Sequence, residues 1–351
     1  MIDLSEARIT TLAVHKVGNK SQVEGVLAAK DTFPLAEPLS MILQDFFLSS
    51  FKSDAFFRFT HEEELSHNQV WASCNKLFGP SRDNFLEESV QLLQHLYNQS
   101  NHPNIKSGEF FVAHFRECVI DGADLEAIGL FKSENKDLFL QVEEKEEEMG
   151  VKAEEGIPIK KLDKGCLIFN TLADDGYSVL MVDRSSEDAQ YWRDDFLNVE
   201  RILDHSFQTE AFIGMARDFC EEVVAQEADL KDQVVFMNKS LNYFTQNKEF
   251  DIDGFKDEVI PNSTVRENFD AYRKDYEEQQ GLVPSEEGFP ISKYAVRNMR
   301  KQFKSLLKLD THIQIRLDPK KIEEAGDFVE RHWDDDREMY FYKVYFNEEL
   351  E

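Results

Sequence analysis

The sequence predicts an α+β fold: an N-terminal domain of mixed sheet and helix, then a mostly helical domain with a small C-terminal antiparallel sheet. Three observations support this. Strand-like runs dominate the first half of the chain, helical periodicity dominates the part that follows, and strand-like runs return near the C-terminus. Because 351 residues can form more than one core, we expect two domains, at residues 1–188 and 189–351.

The first domain is expected to open with a strand at Ile9–Val17, which is rich in β-branched and apolar residues. Helices are predicted around residues 39–46 and 86–97, where apolar side chains recur on one side of a helix. Further strands are predicted at residues 23–29, 55–60, 109–120, 125–132, 138–142, 165–170 and 177–183.

An acidic run, residues 143–155, follows one of these strands and reads EEKEEEMGVKAEE. Seven of its residues are Glu and two are Lys. Because like charges repel and no apolar periodicity is present, this run predicts a solvated acidic loop or linker. The end of an acidic surface helix is the alternative.

The second domain is predicted from helical spacing of apolar residues around 212–223, 234–244 and 264–276. Strand-like runs return at residues 312–317, 327–332 and 339–346, and three consecutive aspartates, residues 334–336, lie between the last two. These runs predict the small terminal sheet.

A basic stretch at residues 291–309 stands out in a chain of formal net charge −29. On one continuous helix its bases would form a single stripe beside an apolar stripe that packs on the protein. The functional interpretation is a helix that contacts DNA phosphates, and the alternative is an ordinary amphipathic helix whose bases face water or pair with carboxylates. The six bases are Lys293, Arg297, Arg300, Lys301, Lys304 and Lys308.

Motifs of known enzyme classes do not occur: the sequence has no GxxxxGK[ST], GxGxxG or GxSxG pattern. His61 and His67 flank three glutamates, but their i, i+6 spacing does not match the i, i+4 pair of a zinc-binding helix. Asp194–Asp195 and the aspartates at 334–336 could bind a divalent cation, but clustered carboxylates are expected in so acidic a chain even where no metal binds. We therefore predict no catalytic residues, no metal and no cofactor.

The compartment is predicted from what the sequence contains and lacks. The four cysteines are too far apart for a small disulfide framework or a CxxC metal pair, which favours a reduced cytoplasmic protein. No apolar run approaches the roughly 20 residues that span a bilayer, and the N-terminal residues lack the features of a secretory signal.

Dispersed segments resemble a known family. Ile9–Val17 is similar to the opening strand of the bacterial nucleoid-associated proteins of the NdpA type, with its short "alHk" signature, and Tyr191–Leu197 is similar to that family's aromatic and "DFLG" patch. Asn198 stands where the family has Gly, and Ile313–Asp318 follows the family's C-terminal order. The resemblance implies a cytoplasmic protein of the nucleoid with a DNA-linked role and no established enzymatic activity.

From these observations we predict a non-enzymatic nucleoid-associated protein that contacts double-stranded DNA through the basic helix without reading its sequence. No base-reading motif is present. The alternative is an acidic protein-interaction module that DNA-processing proteins bring to the nucleoid, and the chain is compatible with a homodimer. A hydrolase with an acidic metal site is the third interpretation.

Overall fold

The computed structural model describes residues 2–79, 84–145, 148–184, 190–227, 230–260, 263–282, 287–300, 306–316 and 328–348. The chain forms two compact units, Met1–Ile202 and Leu203–Glu351. The predicted limit after residue 188 falls earlier than this division. Residues 190–202 belong with the N-terminal unit, because the buried side chains of Trp192 and Phe196 lie in that unit's core.

A nine-stranded antiparallel sheet forms the centre of the N-terminal unit. Its strands are β1 (Ile2–Asp3), β2 (Arg8–Val17), β3 (Val26–Leu27), β4 (Phe57–Phe59), β5 (Gly108–Ile120), β6 (Ala123–Ser133), β9 (Lys164–Phe169), β10 (Ser178–Asp183) and β11 (Val199–Arg201). They lie in the order β11-β4-β10-β9-β6-β5-β2-β3, and β1 pairs with β5. The chain between β6 and β9 adds a separate ribbon of β7 (Asp137–Lys145) and β8 (Glu148–Gly156).

The sheet is buried on both faces. In β5, Phe110 and Val112 point into one core, which is covered by α2 (Gln69–Leu77) and α3 (Phe85–Gln99). The alternate residues Phe111 and Ala113 point into a second core, which is covered by α1 (Leu39–Leu48). Successive side chains of a strand point to opposite faces, so the central strands are apolar almost throughout rather than alternating.

The acidic run is not a loop, and that prediction is wrong. Its described residues, 143–145 and 148–155, lie in the ribbon of β7 and β8, where Val142 is opposite Val151 and Glu144 is opposite Met149. Lys152 pairs with Glu143 and Glu154, so part of the like-charge repulsion is offset across and along the strands. Leu138, Leu140 and Val142 are alternate residues of β7, and the strand continues in the same register through Glu144.

Helices make up most of the C-terminal unit. They are α4 (His205–Phe219), α5 (Ala225–Glu227), α6 (Leu230–Gln246), α7 (Ile252–Val259), α8 (Ser263–Gln280) and α9 (Lys293–Met299). The strands among its described residues are short antiparallel pairs: β12 (Glu249–Phe250) with β13 (Phe289–Pro290), β14 (Leu306–Lys308) with β15 (Gln314–Arg316), and β16 (Val329–Asp334) with β17 (Met339–Val344). The predicted α+β fold class is confirmed.

Phenylalanine rings fill the core of this unit. Phe250 on β12 stacks on Phe289 of β13 with ring centroids 4.7 Å apart, and Phe212 of α4 lies 4.2 Å from Phe250. Helix starts are set by side-chain caps: Asp204 accepts a hydrogen bond from the Phe207 amide, and Asp251 accepts one from Gly254. Phenylalanine therefore supplies much of this core.

His15 of β2 links the sheet to Ala29 and to helix α3 through its two ring nitrogens. Its Nδ1 accepts a hydrogen bond from the Ala29 amide at 3.0 Å, and its Nε2 lies 3.1 Å from Ser89 Oγ on α3. Because the Ser89 hydroxyl donates to the Leu86 carbonyl, His15 Nε2 must carry the proton and donate to Ser89. Burial lowers the pKa of His15 to about 4. The histidine of the "alHk" strand is thus a neutral structural residue.

We predict that His15 makes the fold sensitive to mild acid. Its pKa is about 4 when folded and 6.5 when unfolded, so only the unfolded chain binds the proton between these values. Stability is complete above pH 6.5 and falls as pH drops toward 4, by about 2 kcal/mol at pH 5. Urea unfolding at pH 7.5 and pH 5 should show His15→Gln losing less stability than wild type. The exposed His102→Gln variant serves as control, and an equal loss in all three proteins would contradict the assignment.

Candidate nucleic-acid interface

Helix α9 is anchored to the C-terminal unit by its first turn and its inner face. Ser292 precedes it, and its hydroxyl accepts a hydrogen bond from the Ala295 amide at 3.0 Å. The Ser292 amide donates to Thr209 Oγ1 of α4 at 3.1 Å. Ala295 and Val296 are buried against the aromatic core. The helix therefore has one defined side toward the protein and one toward water.

Three of the predicted bases lie on the outer side of α9. Lys293, Arg297 and Arg300 are exposed and follow an i, i+4, i+7 spacing, which places them along one line. The Arg297 guanidinium lies 5.7 Å from the centroid of the Tyr294 ring, a cation–π distance that holds it over the helix surface. Within the described residues, no carboxylate forms an ion pair with any of these three bases.

The prediction of one basic helix across residues 291–309 is wrong. The helix ends at Met299, and Arg300 occupies its C-cap. Lys301 and Lys304 lie outside the described residues. Lys308 lies on strand β14, which pairs with β15. The six bases therefore do not form one rigid stripe.

Residues 306–308 form a strand instead of a helix because they pair with Gln314–Arg316 in a hairpin. Leu307 pairs with Ile315 of β15, and the turn between the strands is closed by the Leu309 amide bonding to the Ile313 carbonyl at 2.9 Å. Leu and Lys are good helix formers, but helix propensity is a weak prior of tenths of a kcal/mol per residue. Backbone pairing with β15 outweighs so small a preference.

The geometry of α9 suits contact with phosphates. Seven helical residues span roughly 10 Å, so Lys293, Arg297 and Arg300 can reach neighbouring phosphates. Arginine offers two parallel N–H donors to a phosphate, and lysine offers a point charge. Contacts of this kind with phosphates do not depend on which bases are present.

The aromatic patch of the family resemblance is part of the core. The Tyr191 hydroxyl donates to Glu134 Oε1 at 3.0 Å and accepts from Lys132 Nζ at 2.9 Å. Lys132 Nζ also donates to Glu134 and to the Lys106 carbonyl, so all three of its N–H groups have acceptors. Desolvation lowers the pKa of Lys132 and raises that of Tyr191. This saturated network is structural, because no donor is left to act on a substrate.

Asn198 retains the turn that the family's Gly would make. It has φ +50° and ψ +66°, in the left-handed region, and it ends a π-helical turn at Arg193–Leu197. Asn is the residue that tolerates this region best after Gly. The Asn198 carbonyl accepts from the Thr60 amide at 3.0 Å, and the substitution leaves the turn and this bond in place.

The carboxylates singled out in the sequence are used locally. Arg193 pairs with Asp194 at 2.6 Å, and Asp334 Oδ1 accepts from the amides of Asp336 and Arg337 in the turn between β16 and β17. His61 and His67, in contrast, lie close together with Glu63 between them. Sequence spacing missed this proximity because residues 61–67 do not form a continuous α-helix.

The four cysteines are buried and unpaired, and all four are among the described residues. Burial raises the pKa of Cys118 and of Cys220 to about 12. Their thiols therefore stay protonated at neutral pH and do not act as nucleophiles or metal ligands in the folded protein. Among the described residues, no helix is both long and apolar enough to span a membrane.

Comparison with known families places the chain in the class of bacterial nucleoid-associated proteins, which is not a known enzyme class. The matching family model is described as nucleoid-associated protein YejK and covers residues 13–343, nearly the whole chain. The chain belongs to this family and has a nucleoid-associated role, so the predicted resemblance is confirmed. No curated protein matches the chain significantly.

We predict that the turn at residue 198 accepts Gly but not a β-branched residue. Asn198→Gly should change the free energy of unfolding by only a few tenths of a kcal/mol, because Gly adopts φ +50° freely. Asn198→Val should destabilise by about 1–2 kcal/mol, because a β-branched side chain clashes there. Chemical denaturation of both variants measures the difference. Equal stability of the Gly and Val variants would refute the strained turn.

Proposed function

We propose that the protein associates with double-stranded DNA without enzymatic action and without reading its sequence, through phosphate contacts of α9. The observation that carries this proposal is the exposed line of Lys293, Arg297 and Arg300, which no described carboxylate neutralises. Lys301, Lys304 and Lys308 follow in the chain and would add contacts where they reach the same DNA. The place of action would be the cytoplasmic nucleoid.

The charge of the whole chain supports a local site. At −29 the protein repels DNA over most of its surface, whereas fields are screened beyond about 8–10 Å at physiological salt. A basic face as short as α9 can therefore attract phosphates although the chain is acidic. The surrounding negative charge would restrict the approach of DNA to that face.

The salt dependence of binding tests this proposal. Wild-type protein should bind duplex DNA with little sequence preference, and its affinity should fall linearly on a log–log plot against salt concentration. Changing Lys293, Arg297 and Arg300 to Gln should reduce the slope by roughly two to three, because each neutralised phosphate contributes about 0.9 to it. The fold should remain intact, because exposed charges contribute little to stability. Fluorescence anisotropy over a salt series gives both slopes.

A matched control separates the site from net charge. Lys30, Lys160 and Lys161 are also exposed, and changing them to Gln alters the net charge equally. This control variant should retain the wild-type slope. If both triple variants reduce the slope by the same amount, general charge and not α9 governs binding. If neither changes it and both fold, the phosphate-contacting role of α9 is refuted.

A second candidate function is supported by the ribbon of β7 and β8. Five apolar side chains that are all more than half exposed lie on one of its faces, and Glu144 and Glu155 lie on the same face. A two-stranded ribbon is marginally stable alone and gains stability when such a face is covered. The five residues, called the apolar strip below, are Leu138, Leu140, Val142, Met149 and Val151.

Charge decides which partner suits the apolar strip. Two copies of this ribbon would bring their glutamates together, and like charges at close range cost free energy. A basic amphipathic segment of another protein would cover the strip and pair with Glu144 and Glu155. This supports the acidic interaction module, with DNA-processing proteins as the class of partner, and leaves homodimerisation as the competing outcome.

We predict that a synthetic amphipathic Lys/Leu helix peptide binds the strip. Leu140→Ser combined with Val151→Ser should weaken the peptide's affinity at least tenfold, because each substitution removes roughly 1–2 kcal/mol of apolar burial. Leu27→Ser, which changes an equally exposed leucine elsewhere, should not. Isothermal titration measures affinity, and light scattering measures the oligomer. A dimer that the double variant dissociates would instead assign the strip to self-association.

A further inference from the structure

We infer that His61, Glu63 and His67 form a binding site for a divalent transition-metal ion, with Zn²⁺ as the best match. One possible ligand atom from each side chain lies within 4.8 Å of those of the other two. The rings of His61 and His67 face each other edge to face with centroids 5.3 Å apart. The three residues belong to one loop of the N-terminal unit and do not belong to the proposed DNA face on α9.

The ends of this loop are held in place. Asn68 follows it, and its side-chain NH₂ donates to the carbonyls of Thr60, Leu197 and Asn198 at 2.9–3.2 Å. Its side-chain oxygen caps α2 by accepting from the Trp71 amide at 3.0 Å. Since Thr60 and Asn68 are tied to the same point, the residues between them have limited freedom. Such restriction reduces the entropy cost when three ligands converge on one ion.

The side chains already interact in a way that a metal would replace. His67 Nδ1 lies 2.9 Å from Glu63 Oε2, and His61 Nδ1 accepts a hydrogen bond of 3.2 Å from the Glu63 amide. A Zn²⁺ ion with bonds of about 2.0–2.2 Å needs its ligand atoms roughly 3.3–3.5 Å apart. Exposed side chains such as His67 and Glu63 can close the remaining distance by small rotations. Binding would displace the proton shared by His67 and Glu63.

The donor set favours particular metals. Two imidazoles and one carboxylate suit Zn²⁺ and its neighbours Co²⁺, Ni²⁺ and Cu²⁺, whereas Mg²⁺ and Ca²⁺ prefer oxygen ligands. Three protein ligands leave a coordination position for water. The bound ion would link His61, just after β4, to His67, just before α2, and so stabilise the loop. The buried cysteines do not compete for the ion while the protein is folded.

Calorimetric titration of the metal-stripped full-length protein with Zn²⁺ tests the site. Wild type should take up one ion per chain and release protons, and its affinity should weaken as pH falls, because the ligands must be deprotonated. Co²⁺ should give the visible absorption of a low-symmetry four-coordinate site. His61→Ala combined with His67→Ala should lower Zn²⁺ affinity at least tenfold. Circular dichroism should show an unchanged fold, because neither histidine is buried.

The control variant is His332→Ala. His332 also pairs with a glutamate, Glu330, at 2.9 Å, but the three-residue cluster does not include it. This variant should bind Zn²⁺ as wild type does. The proposal is overturned if wild type binds less than one equivalent, if the double histidine variant binds equally well, or if only His332→Ala weakens binding. None of these measurements involves DNA, so they are independent of the role of α9.

Discussion

Burial of the nine-stranded sheet on both faces is the constraint on which the N-terminal unit depends. A sheet with one wet face can place its polar residues there, but here α1 covers one face and α2 and α3 cover the other. Any polar group on a central strand must therefore find a partner inside the protein. Close packing follows as well: a Cβ added to Gly129 of β6 would meet the rings of Phe115 and Phe131 at 2.8 Å or less.

Two lysines on the sheet show how that requirement is met. Lys132 and Lys164 are fully buried, on neighbouring strands β6 and β9. Their ammonium groups lie 5.4 Å and 5.2 Å from the centroid of the Tyr191 ring, and each also reaches a carboxylate, Glu134 or Asp183. An unpaired buried charge would cost several kcal/mol. The network thus ties the segment after residue 190 to the sheet and explains why that segment belongs to the N-terminal unit.

Asn68 connects this segment to the rest of the unit. Through four hydrogen bonds it joins the end of β4, the start of α2 and the turn at Asn198. The loop with His61, Glu63 and His67 begins and ends at this junction.

The two candidate surfaces differ in charge. The exposed bases described on α9 lie in the C-terminal unit, whereas the acidic apolar ribbon lies in the N-terminal unit. These two candidate surfaces therefore lie on different compact units.

The sequence by itself determined the fold class, the family and most of the central strands and helices, because these depend on local periodicity and on patterns such as the β-branched run of Ile9–Val17. Tertiary structure decided the rest. Leu306–Lys308 became a strand through pairing with Gln314–Arg316, and the glutamate-rich run became a ribbon through the alternate apolar residues of β7 and β8. These partners lie near one another in the chain, but what selects them is backbone pairing and the path of the loop, which the periodicity of apolar residues does not record.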